Sequence, residues 1–431
     1  MSTITTADVI YRHRQTMAPA QSVYHDLVFV RGEGAFLYDP EGNRYIDMAV
    51  GICTGPVGHC HPEVVAAIKD QAEKLLHTSM VGYYDENVRH AELLRSIAPY
   101  SLRDGRVIFL NGGGEGVEAA LKMARMVLRR PSVISFMGGF SGRQMGALSA
   151  TGSKSFYRKG LSGLLPGAYH GIYPYCYRCP MEHSDNTLCK LACINMVHKL
   201  LKHVVPPEDL AAIIIEPMAG ENGYVYPPSE FIKQLRKICN ETGALLILDE
   251  VQTGLGRTGK MWCCELHGVE PDVIVFGKSA GGQMPLGGFI GKRDIVERWE
   301  KGAHGSTYGG HPVSCRAGRA TLEIIIRENL PERVSRLGEY IQNQFKQAQK
   351  ELPVIGDVRG AGFMVGLELI NADGSPNRDL ALTVLAQAGK RGAVITNVAD
   401  STLRLSPPLN ISNDVLGEGI NILIQTIRDF S

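Results

Sequence analysis

The chain has 431 residues, and its 45 Lys and Arg against 44 Asp and Glu give a net charge of +1. Nucleic acids and anionic membrane surfaces are bound through concentrated Lys and Arg, so this balance argues against both as partners. The length exceeds the roughly 250–300 residues at which one hydrophobic core stops growing, which predicts two packed lobes.

The start of the chain and its cysteine content indicate the compartment. Residues 1–14 carry no apolar stretch behind basic residues, and no run approaches the ~18 apolar residues of a membrane span. Cysteines signal a disulfide framework in short secreted chains, so most of the ten here are expected to be reduced thiols. We therefore predict a cytoplasmic protein with no membrane partner.

The first sixty residues contain a predicted hairpin. Its strands are residues 35–38 and 45–48, and the turn at 39–43 contains Pro and Gly. We expect this segment to pack with the C-terminal lobe.

Short apolar runs then alternate with helical patterns. The runs are residues 106–110, 133–136, 211–215, 245–248 and 273–276, and the clearest helical patterns are 117–128 and 229–242. Continuous Ile, Val and Leu content is typical of parallel strands buried on both faces, which predicts an α/β centre.

Beyond residue 311 the pattern changes to longer helices. Helical patterns cover residues 313–327, 332–350 and 379–391, and strands are predicted at 362–369 and 403–405. This part is interpreted as a smaller α+β lobe.

Asn111-Gly112-Gly113-Gly114-Glu115 lies between an apolar run and a helical pattern. A glycine turn before a helix exposes free backbone N–H groups at the positive end of the helix dipole, which suits one phosphate group. A plain tight turn explains this segment alone equally well.

Three ionisable residues follow apolar runs. Glu216 and Asp249 each come directly after one, and Lys278 lies two residues beyond the run 273–276. Ligands of open parallel sheets bind beyond the carboxyl ends of the strands, so these side chains are expected to converge. A partly buried Lys favours imine chemistry, although a solvated Lys is the alternative, and a buried Asp suits a pyridinium nitrogen. With the glycine turn, they indicate a pyridoxal phosphate site.

At these residues the chain resembles the class III, or 4-aminobutyrate/ornithine-type, pyridoxal-phosphate aminotransferases of fold type I. The resemblance runs from residues 58–62 to 403–408, and its most specific part is residues 248–259 followed by Gly277-Lys278. It implies a large α/β domain at 61–315 with a mainly parallel seven-stranded sheet. It also implies a smaller α+β domain at 316–431, against which residues 1–60 pack.

The resemblance also implies how pyridoxal 5'-phosphate is held. Lys278 would be the Schiff-base lysine and proton carrier, Asp249 would pair with the pyridine nitrogen, and Gln252 would reach the phenolic oxygen. Further cofactor contacts would come from Gly113, Gly114, Phe140, Ser141, Glu216 and Val251. Thr307 would reach the phosphate of the other subunit, which implies a homodimer with shared active sites; a dimer of dimers is left open.

Substrate contacts follow from the same resemblance. Arg404 would bind an α-carboxylate, whose planar geometry matches a guanidinium. Glu221 would pair with Arg404 when an ω-amino substrate is bound, and Arg143 would receive the distal carboxylate. Ile52 would shape the pocket. A purely structural ion pair between Glu221 and Arg404 is the alternative.

The chain departs from the family pattern at the phosphate turn. The usual Ser-Gly-Ser/Thr-Glu-Ala is here Gly112-Gly113-Gly114-Glu115-Gly116, so a hydroxyl contact to phosphate is lost and lower cofactor affinity is expected. The usual histidine after Phe140 is Ser141, and the Asn expected before Pro312 is His311.

Four cysteines have spacing that resembles a zinc site. Cys176-x-x-Cys179 is followed by Cys189-x-x-x-Cys193, with His183 nearby. The separation between the pairs is short for a zinc ribbon. Reduced packing cysteines or one local bridge are therefore favoured, and no bound metal is predicted.

The predicted function is transfer of an amino group by a ping-pong cycle. The donor is an amine or an ω-amino acid like 4-aminobutyrate, and the acceptor is a 2-oxo acid such as 2-oxoglutarate or pyruvate. The alternative is an amino-acid racemase or epimerase on the same scaffold, which needs a second acid/base. A catalytically dead binding protein is disfavoured because Lys278, Asp249 and Gln252 are all present.

Overall fold

The computed structural model describes residues 4–161, 163, 166–182 and 189–431. The α-helices are α1 (Thr6–Thr16), α2 (Val50–Cys53), α3 (Pro62–Lys74), α4 (Asp85–Ser96), α5 (Gly113–Leu128), α6 (Met145–Ala150), α7 (Ala192–His203), α8 (Ser229–Thr242), α9 (Cys264–His267), α10 (Arg293–Val296), α11 (Pro312–Arg327), α12 (Leu330–Gln349), α13 (Arg378–Lys390) and α14 (Asn413–Phe430). Within these residues, we find no helix with the length and apolar character needed to cross a membrane.

The strands form one large and two small sheets. They are β1 (Arg31–Glu33), β2 (Phe36–Tyr38), β3 (Arg44–Asp47), β4 (Arg106–Leu110), β5 (Ser132–Met137), β6 (Ala168–Ile172), β7 (Leu210–Ile215), β8 (Leu245–Asp249), β9 (Val273–Phe276), β10 (Gly287–Gly291), β11 (Ile355–Ala361), β12 (Met364–Leu369), β13 (Ala393–Val394), β14 (Thr396–Val398) and β15 (Thr402–Leu405).

The large sheet has seven strands in the described chain, in the order β4-β10-β9-β8-β7-β5-β6. From β6 to β9 every neighbouring pair is parallel, and only β10 runs antiparallel to both of its neighbours. Every residue of β7, β8 and β9 is buried, as their continuous apolar content predicted. The α/β fold with a mainly parallel seven-stranded sheet is confirmed.

Helices cover both faces of this sheet. On one face α5 contacts β10 and β9, and Val117 and Leu121 lie in the core between them. On the other face α8 buries Phe231 and Leu235. Because helices cover both faces, the sheet is open at the ends of its strands.

The two small sheets join segments that are distant in sequence. The predicted hairpin forms β2 and β3, and β3 pairs in parallel with β13, so the N-terminal segment shares a sheet with residues 393–394. The second small sheet has the order β11-β12-β15-β14. The division at residues 60 and 315 stays a prediction.

Several strands were missed in the sequence, and β10 shows why. Three of its five residues are glycine. Gly288 has φ +152°, and a Cβ there would lie 1.9 Å from the carbonyl oxygen of Ile108 on β4. The contact with a neighbouring strand therefore requires glycine, which weakens the apolar pattern by which strands are recognised.

Two glycines near the start of α5 differ in the space around them. A Cβ on Gly116 would lie 2.7 Å from the carbonyl oxygen of Gly288, because α5 approaches the backbone of β10 closely. Gly112 precedes α5 as its N-cap with an extended backbone, and no atom lies within 4 Å of a Cβ placed there.

We expect Gly116→Ala to destabilise the protein by about 1–3 kcal/mol, because overpacking against fixed backbone costs that much. Gly112→Ser is the matched control and should be neutral or stabilising by a few tenths of a kcal/mol, since serine is a good N-cap. Urea denaturation of both variants would measure the change in the free energy of unfolding. Equal stability of Gly116→Ala and wild type would contradict the close approach of α5 to β10.

Candidate active site

A cavity of about 620 Å³ opens at the carboxyl ends of the parallel strands. All but one of the predicted site residues line it: Ile52, Gly113, Gly114, Phe140, Ser141, Arg143, Glu216, Glu221, Asp249, Val251, Gln252, Lys278 and Arg404. The exception, Thr307, lies in the segment before α11. Residues at the strand ends of the large sheet thus meet Arg404 of β15, which belongs to a small sheet.

Lys278 begins a single 3-10 turn just beyond β9 and has a left-handed backbone, with φ +45°. This conformation costs free energy for a side chain with a Cβ, and such strain concentrates at functional sites. Burial lowers the pKa of Lys278, and the neighbouring Arg404 adds to this effect while Cys53, Glu216 and Asp249 oppose it. A larger fraction of neutral amine makes this lysine a better nucleophile.

Two carboxyl groups beside Lys278 are buried with neutral hydrogen-bond partners. Asp249, the last residue of β8, is 5% exposed and accepts the N–H of Val251 at 3.1 Å. Glu216, just beyond β7, is 8% exposed and accepts the N–H groups of Phe140 (2.8 Å) and Gly220 (3.0 Å). Burial raises the pKa of Asp249, and burial together with Asp249 raises the pKa of Glu216.

The glycine turn provides an anion site next to these groups. It separates β4 from α5, and Gly113 and Gly114 at the N-terminus of α5 line the cavity. A Cβ on Gly113 would lie 2.5 Å from Val251 Cγ1, and one on Gly114 would lie 2.2 Å from Gln144 Oε1. The free N–H groups and the dipole of α5 suit a phosphate at this position.

Sequence analysis did not predict the hydrogen-bonded group formed by Gln252, Tyr224 and Cys53. Gln252 Nε2 donates to the hydroxyl of Tyr224 at 3.2 Å and to Cys53 Sγ at 3.5 Å. Cys53 is fully buried, and although burial raises its pKa, Arg257 and Lys278 together with hydrogen bonds from Ser406 and Gln252 more than offset this, so the pKa of Cys53 is lowered. No motif in the sequence links Cys53 or Tyr224 to Gln252.

Ile52 lies in a turn with unusual backbone geometry. The four residues of α2 all have positive φ, from +39° at Val50 to +67° at Cys53. Asp47 Oδ1 stabilises this turn by accepting the N–H groups of Ala49 (2.9 Å) and Val50 (2.7 Å). A left-handed turn costs about 1–2 kcal/mol per residue outside glycine, so its place beside the cavity indicates a functional requirement.

Arg404 is a buried cation on β15, only 1% exposed. Its hydrogen-bond acceptors are neutral: Thr396 Oγ1 (3.2 Å), the carbonyl oxygen of Gly220 (3.5 Å) and the hydroxyl of Tyr24 (3.5 Å). Although burial lowers the pKa of Arg404, nearby groups such as Tyr224, and Glu221 from a distance, more than offset this and raise it. No carboxylate of the described residues forms an ion pair with Arg404, and burying a charge without a direct ion pair is costly. The guanidinium is therefore well placed to bind an anion that enters the cavity.

A tyrosine hydroxyl bridges Glu221 and Arg143 by hydrogen bonds. Arg143 Nη2 donates to the Tyr157 hydroxyl at 3.3 Å, and this hydroxyl donates to Glu221 Oε2 at 3.2 Å. The Arg143 guanidinium also lies 5.3 Å from the ring centre of Phe140. Glu221 is thus engaged with Tyr157, and no ion pair joins it to Arg404 in the described chain.

Other lining residues come from segments without a recognisable motif. They are Ser22, Val23 and Tyr24 near the N-terminus, Gly51 and Thr54 around Ile52, Lys154 and Tyr157 before β6, and Arg378, Leu382 and residues 397–400 of the C-terminal part. Sequence reasoning missed all of them, because only the fold brings these segments to the cavity.

The four spaced cysteines lie outside this site. Cys176, Cys179, Cys189 and Cys193 are free thiols, and His183 lies outside the described residues. Among the residues with described positions, no three His, Cys, Asp or Glu side chains are grouped to hold a metal ion. The absence of a bound metal stays a prediction.

The chain is similar to known proteins over almost its full length. The sequence model described as Aminotransferase class-III matches residues 16–427. A probable 4-aminobutyrate aminotransferase of Bacillus subtilis is 36% identical over 99% of both chains. An alanine/serine racemase of Pyrococcus horikoshii is 34% identical over 98% of this chain and 90% of the relative.

A solved structure extends the likeness to the fold and to a bound cofactor. It is a PLP-bound amine transaminase from an uncultivated Pseudomonas species, with a TM-score of 0.89 and 29% identity over 96% of this chain and 97% of that one. The site described above fits pyridoxal 5'-phosphate: a buried lysine of lowered pKa, a buried carboxyl partner and a glycine-lined helix N-terminus converge. The chain belongs to the class III aminotransferases and uses pyridoxal 5'-phosphate as its cofactor.

Proposed function

We propose that this aminotransferase moves an amino group from an amine or an ω-amino acid of the 4-aminobutyrate type to a 2-oxo acid such as 2-oxoglutarate or pyruvate, by a ping-pong cycle. This proposal rests on the buried Arg404, which lines the same cavity as Lys278. Its hydrogen-bond partners in the described chain are all neutral. A carboxylate substrate would supply the missing negative charge. The Bacillus relative named above supports this donor class.

In this proposal Lys278 has two tasks. Its amine would hold the cofactor through a covalent bond, and once a substrate amine takes its place in that bond, the freed Nζ would accept the proton from the substrate carbon that bears the amino group. When bound, the cofactor supplies a pyridine ring that withdraws electrons from this carbon. Asp249 would keep the ring nitrogen protonated, and Glu216 would support it from the adjacent strand end.

The remaining cofactor contacts divide between the ring and the phosphate. Gln252 would donate to the phenolic oxygen, and Phe140 and Val251 would pack against the ring faces. The N–H groups of Gly113 and Gly114 would hold the phosphate at the start of α5. Ser141 lines the same cavity and is proposed as a further contact.

Substrate selection is assigned to the residues on the open side of the cavity. Arg404 would bind the α-carboxylate of a 2-oxo acid, and Glu221 would turn from Tyr157 to Arg404 when an ω-amino substrate brings no α-carboxylate. Arg143 would bind the distal carboxylate, and Ile52 would limit the width of the pocket. Tyr157 supports this exchange because it hydrogen-bonds to both Arg143 and Glu221.

The proposal includes a homodimer with shared active sites, in which Thr307 reaches the phosphate of a second copy. Large apolar side chains near this segment are exposed, among them Leu76, Met80, Val81, Tyr83 and Tyr308. Surfaces of this kind mark association sites. A dimer of dimers, a cytoplasmic location and the domains 1–60, 61–315 and 316–431 belong to the same proposal.

The second candidate is an amino-acid racemase or epimerase, favoured by the Pyrococcus relative. Such an enzyme needs an acid/base group on each face of the substrate carbon. Glu221 and Arg143 in one hydrogen-bonded group support recognition of a distal carboxylate instead. Transamination is therefore the preferred function.

Reduction of the holoenzyme with borohydride is expected to attach a pyridoxyl mass to the peptide that contains Lys278, because this amine bonds to the cofactor. Lys278→Ala should lose the label and the visible absorption of the lysine-bound cofactor. Peptide mass spectrometry and absorption spectra measure both. Lys292→Ala, on the opposite end of the sheet, is the control, and label at any other lysine of the wild type would refute the assignment.

Incubation with L-alanine in deuterated buffer, without an oxo acid, separates the two candidate functions. A transaminase stops after one half-reaction, leaving about one pyruvate per active site and no D-alanine. A racemase accumulates D-alanine with deuterium at Cα. Chiral chromatography and mass spectrometry decide, and sustained formation of D-alanine would overturn the proposed function.

Asp249→Asn should gain stability relative to wild type in cofactor-free protein as pH rises from about 4 to about 7, because the pKa of Asp249 is raised to about 7 in the folded protein. The pKa of Asp249 is raised in the folded state, so ionisation above the ordinary carboxyl pKa destabilises wild type by about 1.4 kcal/mol per pH unit until the folded pKa is passed. Urea unfolding at several pH values measures the difference. A pH-independent difference would show that Asp249 titrates normally.

A further inference from the structure

Glu368 is a buried carboxylate that joins the two lobes. It lies on β12, is 2% exposed and accepts hydrogen bonds from the Tyr175 hydroxyl, from Arg178 Nε and from Arg359 Nη1, the last at 2.9 Å. Tyr175 and Arg178 belong to the loop after β6 of the large sheet, whereas Arg359 lies on β11. One carboxylate thus receives donors from both lobes.

Arg359 extends this group toward the active site. Its Nε donates to the carbonyl oxygen of Gly223 at 2.8 Å, and its Nη2 donates to Thr402 Oγ1 at 3.0 Å. Gly223 lies two residues after Glu221, and Thr402 lies two residues before Arg404. A single guanidinium therefore holds both segments that carry the substrate-side charges.

Two glycines allow the segments joined by Arg359 to pack closely. On β12, Gly366 is paired with Arg404 of β15, and a Cβ on Gly366 would lie 2.6 Å from the carbonyl oxygen of Gly223. A Cβ on Gly223 would lie 2.6 Å from Arg359 Nη2. The turn with Glu221 thus rests directly on the strand pair with Arg404.

The charges within this group are balanced. Asp357 Oδ2 accepts Arg359 Nη1 at 2.9 Å, so two arginines face two carboxylates. Arg359 also lies 4.8 Å from the ring centre of Tyr175. Loss of either arginine leaves a buried negative charge undercompensated, so the remaining groups must rearrange.

We propose that Arg359 and Glu368 are a positioning pair that sets the distance between Glu221 and Arg404, and that the loop carrying Tyr175 and Arg178 locks the pair in place. The inference rests on the proposed roles of Glu221 and Arg404. The pair acts through these residues and determines how strongly the site prefers substrates with an α-carboxylate.

The kinetic test uses L-glutamate and 4-aminobutyrate, which differ only by the α-carboxylate. Half-reactions of the holoenzyme are followed by cofactor absorbance in wild type, Arg359→Gln and Arg178→Gln. The ratio of kcat/KM for glutamate to that for 4-aminobutyrate is expected to fall about 3- to 30-fold in Arg359→Gln, through KM for glutamate, which matches mutations that disturb a positioning network. The same ratio of kcat/KM values should also fall in Arg178→Gln, but by a smaller factor.

Hydrogen exchange of residues 217–226 gives a readout that does not depend on the substrate. The backbone bonds between Ala219 and Val225 close this turn, and they should exchange faster in Arg359→Gln. Arg428→Gln breaks an exposed ion pair with Glu351 on the C-terminal part and is the matched control, with no expected change in either measurement.

An unchanged glutamate preference in folded Arg359→Gln, or an equal change in Arg428→Gln, would overturn the inference. If Arg359→Gln does not fold, Arg178→Gln and Tyr175→Phe decide, because Arg178 is 30% exposed and Tyr175→Phe removes only a hydroxyl. If neither amine reacts with wild type, the proposed 4-aminobutyrate donor and 2-oxoglutarate acceptor are wrong, and exchange at residues 217–226 alone then shows whether Arg359 holds the turn.

Discussion

The structure depends on buried ionisable groups whose hydrogen-bond partners within the protein are neutral. Asp249, Glu216 and Arg404 are almost fully buried, and their hydrogen bonds go to backbone groups and hydroxyls. Such groups cost free energy that an isolated chain recovers poorly. A cofactor with a basic ring nitrogen and a substrate with a carboxylate, as proposed above, would pair with these groups. The same buried groups would therefore serve both binding and catalysis.

The scaffold tolerates this cost because rigid elements hold the site from every side. The parallel strands end together and present Glu216, Asp249 and Lys278 at one edge of the sheet. Two segments of left-handed backbone, at Lys278 and at residues 50–53, complete the cavity wall. Backbone strain of this kind persists only where the surrounding packing determines the conformation.

Most of the core and of the site could be predicted, for specific physical reasons. The strands β4 and β9 and the helix α8 were predicted with their observed bounds, because both strands have nearly continuous apolar content and α8 has a strong apolar face. The strand β10 was missed because close approach to β4 replaces its apolar residues with glycine. Tyr157 and Tyr24 were missed because their roles arise from contacts across long sequence distances.

The sequence by itself determined the fold class, the family and the residues at the strand ends, since these follow from local periodicity and from motifs that are contiguous in the chain. Only the tertiary structure decided the partners of those residues. Glu221 binds Tyr157, Arg404 keeps neutral partners, and Arg359 joins the segments that carry them. Hydrogen bonds between distant segments are set by how the helices and sheets pack together, and a linear motif contains no information about that packing.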